Sequence, residues 1–78
     1  MKSVLELLDS LNREWNRIDG ALERLNNFMF SDEFETLPDI TKINLEAQAN
    51  VMAAYSRILR ARMMEHDFHP SFHKEWRE

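Results

Sequence analysis

An apolar residue returns at every third or fourth position along the first third of the chain: Val4, Leu8, Leu11, Trp15, Ile18, Leu22, Leu25 and Met29. The steps of four and three average about 3.5 residues, the period of a helix that supercoils against another helix. One long helix is therefore predicted from Ser3 to about Asn27. Ser3 is its expected N-cap, with Glu6 three residues on to complete a capping box. Asp9 and Arg13 stand four apart in the favourable order for an ion pair. Leu11, Ile18 and Leu22 are expected to be buried between helices. Gly20 falls off the seam, where a tolerated surface position is expected rather than a hinge.

The period breaks between Phe30 and Leu37. Ser31 can start a single helical turn there, with Phe34 and Leu37 turned back onto the tip. Pro38 suits the start of a further helix, and Asp39 places negative charge in its first turn. A connection this short makes the two long helices antiparallel neighbours.

The second long helix is predicted from about Pro38 to Glu65. One apolar stripe runs along Leu45, Ala49, Met52, Tyr55, Leu59 and Met63. Beside it lies another: Ile40, Ala47, Val51, Ala54, Ile58 and Ala61. Together they take about half the circumference at 3.6 residues per turn, more than one partner helix covers. The surplus predicts self-association, with Ala47, Val51, Ala54, Ile58 and Ala61 as the oligomer interface. Length points the same way. A core in a chain of 78 residues supplies roughly 3–5 kcal/mol. With no cysteine, disulfides and thiolate metal sites are excluded. The fold class is thus all-α: a coiled-coil-like antiparallel hairpin over residues 1–65 in an oligomeric bundle. Residues 66–78 form a short helical, aromatic tail, packed on the hairpin or partly mobile.

Composition bounds the function. A formal net charge of −4 argues against nucleic-acid binding driven by bulk charge. No apolar run reaches membrane-spanning length, and Glu6 and Asp9 leave no apolar signal core, so the expected location is cytoplasmic. No catalytic residues, cofactor or metal are expected. His66, His69 and His73, with Asp67, have a zinc-like donor set, but Pro70 spoils a shared helical face. Asp32, Glu33, Glu35 and Asp39 make an acidic tip, read as solvated. Phe68, Phe72 and Trp76 step by four, as in a docked tail or a partner-binding segment. Gln48 and Tyr55 border the apolar stripe, where a polar group sets register. Arg57, Arg60 and Arg62 gather toward the end of the second helix. They either complement the helix dipole or hold a phosphate-bearing ligand.

The segments Leu25-Asn26-Asn27-Phe28, Ser31-x-x-Phe34-x-x-Leu37-Pro38 and Leu45-x-x-Gln48-x-x-x-Met52-x-x-Tyr55-x-x-Ile58-Leu59-x-x-Arg62-Met63 carry a resemblance. Over roughly Trp15 to Met64 the chain resembles small helical-hairpin proteins of tailed bacteriophages and prophages, the crAss-like-phage-related hypothetical proteins. The tail from His66 departs from that pattern. The resemblance implies a phage accessory protein acting in the bacterial cytoplasm, with no catalytic residue to carry over. The expectation is a non-enzymatic protein that self-associates and modulates a host protein, such as a defence factor. Two alternatives stand beside it: an oligomeric sponge that sequesters a nucleotide immune signal, and a structural or assembly role.

Overall fold

The computed structural model describes residues 3–66 and Phe68. Two long helices, α1 (Val4–Met29) and α3 (Asp39–Met64), pack against each other as a hairpin, and a single turn, α2 (Asp32–Glu35), closes the tip. No strand occurs among the described residues.

Local chemistry sets each boundary. The Ser3 hydroxyl accepts from the Glu6 backbone N–H at 3.1 Å. The Glu6 carboxylate accepts from the Ser3 N–H at 3.0 Å, completing the capping box. One turn further, the Arg13 guanidinium meets Asp9 at 2.5 Å. α1 ends at Met29, the last residue of the seam and two beyond the expected end at Asn27, with Phe30 as C-cap. Ser31 then caps α2 by accepting from the Phe34 N–H at 3.3 Å. Pro38 sits one position outside α3, as its N-cap. Its ψ of 151° is extended, and its carbonyl accepts the first α3 bond, from Lys42, at 3.1 Å.

The main core lies at the open end of the hairpin, where Leu8, Leu11 and Trp15 pack with Leu59 and Met63. Leu59 and Met63 are completely buried. Phe68 is half-buried against the same cluster, and its N–H donates to the Met63 carbonyl at 3.2 Å. At the tip a second centre forms on buried Phe34, which meets Phe28 edge-on at 6.1 Å. The Lys42 amine lies 5.8 Å from the Phe34 ring centroid and 3.6 Å from Glu35.

The buried part of the α1 seam is shorter than its period. Leu11 is buried, whereas Ile18 and Leu22 are half-buried and Val4 is exposed. A single partner helix shields one side of α1 only, and α3 ends with Met63 already packed at Leu8 and Leu11, short of Val4. The predictions for His69, Pro70, Phe72, His73, Trp76 and Asp67 lie outside the described residues.

Leu59→Ala removes a side chain with no exposed surface, so a loss of about 2–5 kcal/mol is expected in chemical denaturation. Gly20→Ala should act oppositely. An added Cβ would lie 3.5 Å from the Arg24 guanidinium, an ordinary contact, so a gain of about 0.5–1 kcal/mol is expected from helix propensity.

Candidate ligand and association surfaces

α3 carries apolar groups on two well-separated faces, not on the adjoining stripes expected from the sequence, because the helical repeat sets them more than 100° apart. The inner face, with Ala49, Leu59 and Met63 buried, meets α1. The outer face holds Ile40, Ile43, Ala47, Val51, Ala54, Ile58 and Ala61, recurring by threes and fours. Ile40 is 64% exposed, Ile43 58%, Val51 69% and Ile58 54%, while the small Ala54 is half-buried. Ile43 belongs to this face although the stripe read from the sequence passed over it.

Polar side chains mark the inner seam and its border. The Tyr55 hydroxyl donates to the Glu14 carboxylate. One residue on, and 100° around the helix, the Ser56 hydroxyl lies 3.3 Å from Asp19 Oδ1 as donor. The two bonds therefore tie α1 to α3 at the border of the inner face, at Tyr55, and within it, at buried Ser56. Gln48 is exposed, and its amide reaches only Met52 Sδ at 3.9 Å, so it sets no register inside the hairpin. Two shallow grooves flank α1. Asp19, Leu22, Glu23, Asn26 and Asn27 line one of about 370 Å³. Ser10, Arg13, Glu14 and Arg17 line another of about 540 Å³.

Asn12 is the polar residue that the periodic reading missed. It is 3% exposed, and among the described residues its Oδ1 has no hydrogen-bond partner. Its place one position after Leu11 and four after Leu8 is the signal that could have found it, since that is the edge of the buried stripe.

The three arginines do not form one cluster. At 100° per residue Arg57 and Arg60 are 60° apart and share a flank with Glu46 and Asn50. Arg62 lies 140° from Arg57, on the opposite flank with Gln48 and Tyr55. All three are exposed, and among the described residues none has an ion pair or hydrogen bond. Only Arg62 falls in the last turn of α3, where the dipole acts. Arg57 and Arg60 lie outside it, so helix-end electrostatics does not account for them.

The acidic tip is solvated as expected: Asp32, Glu33, Glu35 and Asp39 are exposed. All four sit in first turns, Asp32, Glu33 and Glu35 in α2 and Asp39 in α3, where the N-terminal dipole favours them. Among the described residues no group of three or more metal-ligating side chains converges. No described helix is long and apolar enough to cross a membrane.

A family model described as Sequestin matches residues 5–65. The chain belongs to the Sequestin family. That match takes in both long helices, the tip and all three arginines, and stops where the hairpin stops. No curated protein and no solved structure matches the chain.

Asn12→Leu tests whether the buried amide serves the fold. Leucine has nearly the same size and removes an unsatisfied acceptor, so the melting temperature should stay equal or rise. A fall of several degrees would mean that the amide has a partner that matters to the folded state.

Proposed function

We propose that this Sequestin-family protein self-associates and sequesters a phosphate-bearing small molecule, a nucleotide immune signal, without converting it. The observation that carries the reading is the pair Arg57 and Arg60, exposed on one flank of α3 with no carboxylate partner among the described residues. Guanidinium groups held on a helix present planar forks that match phosphate oxygens. The family's name speaks of sequestering, which favours this reading over modulation of a host protein. In the setting implied by the phage resemblance, the protein acts in the cytoplasm of an infected bacterium and lowers the free concentration of a defence signal.

Sequestration needs a stoichiometric binder that withstands dilution of its parts, and the outer face of α3 supplies the means. Ala47, Val51, Ala54, Ile58 and Ala61 form the association surface, extended by Ile40 and Ile43. Burying the exposed portion of each Ile or Val is worth roughly 1–2 kcal/mol. Summed over two copies, that is of the size needed to offset the freedom lost on association.

Calorimetry of purified protein against a panel of cyclic dinucleotides and ADP-ribose derivatives should show saturable binding that weakens as salt rises. Arg57→Gln with Arg60→Gln should abolish the heat without changing the helical signal. Heating the complex should release the ligand chemically unchanged. A flat trace across the panel would remove the nucleotide reading and leave a host protein as the target. Release of a cleaved ligand would replace sequestration by catalysis.

A further inference from the structure

The outer face of α3 is complementary to itself in one particular arrangement. Its branched and small residues alternate at heptad spacing: Ala47, Ala54 and Ala61 recur by sevens, and Val51 and Ile58 recur by seven between them. In a parallel pair, like would face like. Three alanine layers would then be hollow, while the valine and isoleucine layers held the backbones apart. In an antiparallel pair with the twofold axis between positions 52 and 53, Val51 falls opposite Ala54 and Ala47 opposite Ile58. Every central layer then combines one small and one branched side chain, so the helices keep a constant separation. Toward the ends Asn44 falls opposite Ala61, Ile43 opposite Arg62 and Ile40 opposite Glu65.

Two independent features select the same register. The axis that matches small to branched residues lies within about one residue of the midpoint of α3, Asp39–Met64, so the two helices overlap along nearly their full length. Charge agrees as well. The second half of α3 carries Arg57, Arg60 and Arg62, with Glu65 just beyond as C-cap, whereas the first half carries Asp39 and Glu46 against Lys42 and adjoins the acidic tip of Asp32, Glu33 and Glu35. Antiparallel pairing sets the basic half of each copy beside the acidic half of the other. Parallel pairing would set three arginines beside three arginines.

We infer that a second copy of this chain covers the outer face of α3, with the two α3 helices antiparallel and Val51 of one opposite Ala54 of the other. The inference rests on the self-association proposed above and adds its register. A twofold axis perpendicular to the plane of the helix pair leaves each flank on its own side. Arg57 and Arg60 of both copies therefore lie on one side of the pair, and the two Arg57 positions are offset by nine residues, about 13 Å along the axis. An anionic ligand on that side would meet arginines from both chains, with Glu46 of each copy opposite position 59 of the other on the same side.

Cysteine cross-linking reads the register directly, because the chain has no cysteine of its own. Ala47→Cys and Ile58→Cys change exposed positions, and circular dichroism checks that both variants keep their helices. Under mild oxidation a mixture of the two should give the disulfide-linked mixed dimer. Each variant alone should give almost none, since its two cysteines would be eleven residues apart along the axis, about 16 Å, beyond disulfide reach. Mixing Val51→Cys with Ala54→Cys should also give the mixed dimer, but there each variant's own cysteines lie only three residues, about 4.5 Å, apart along the axis, so the outer pair alone excludes self-linking. Efficient cross-linking of Ala47→Cys alone would overturn the antiparallel register in favour of a parallel one. No cross-link in any mixture, from a protein that still sediments as an oligomer, would overturn the use of this face while leaving self-association standing. No cross-link from a protein that sediments as a monomer would overturn both.

Discussion

Leu59 and Met63 have no exposed surface, and they are packed by Leu8, Leu11 and Trp15 of the opposite helix. This is the contact on which the rest of the molecule depends. α1 and α3 are each 26 residues long, and neither packs along its whole length in a two-helix arrangement. The five-residue cluster fixes the open end of the hairpin, and Phe34, held by Phe28 and Lys42, fixes the tip. Between them the Tyr55–Glu14 and Ser56–Asp19 hydrogen bonds keep the helices in register. α3 is thus anchored near both ends, with Ile40, Ile43, Val51 and Ile58 of its outer face exposed.

What the sequence showed depended on how local the cause was. The Ser3–Glu6 capping box, the Asp9–Arg13 pair and the Ser31 turn need only neighbours within four residues, and each forms as expected. The hairpin itself follows from two apolar periods joined by a short connection. Burial depth was less legible. Ile18, Leu22 and Val4 keep the seam's period, yet the first two are half-buried, because one partner helix shields one side of α1 only, and Val4 is exposed, because α3 stops short of it. The burial of Asn12 was not legible for a related reason: it lies at the margin of a stripe, whereas buried Ser56 lies within the inner face, between Met63 and Ala49, and was passed over because it is polar.

The arginines illustrate a different gap. Arg57, Arg60 and Arg62 are close in sequence, and closeness alone made them one cluster. The helical repeat divides them into a pair and a single residue, and only Arg62 sits where the dipole explains it. The division makes the ligand proposal narrower. It assigns the phosphate to Arg57 and Arg60, on the flank they share with Asn50, and leaves Arg62 beside Tyr55 and Gln48.

Two small centres cannot make a hairpin of this size very stable, and the most apolar surface left over is the outer face of α3. The central claim is that one helix serves two partners: α1 of its own chain on the inner face and α3 of a second copy on the outer. Sedimentation equilibrium at micromolar concentration tests this most directly, comparing the native chain of 9.4 kDa with Ile58→Glu. The account predicts that the native chain sediments at twice that mass or more. Ile58→Glu should sediment as the monomer, with lower thermal stability but a helical circular dichroism spectrum. A native chain that sediments at the monomer mass across that range would contradict it.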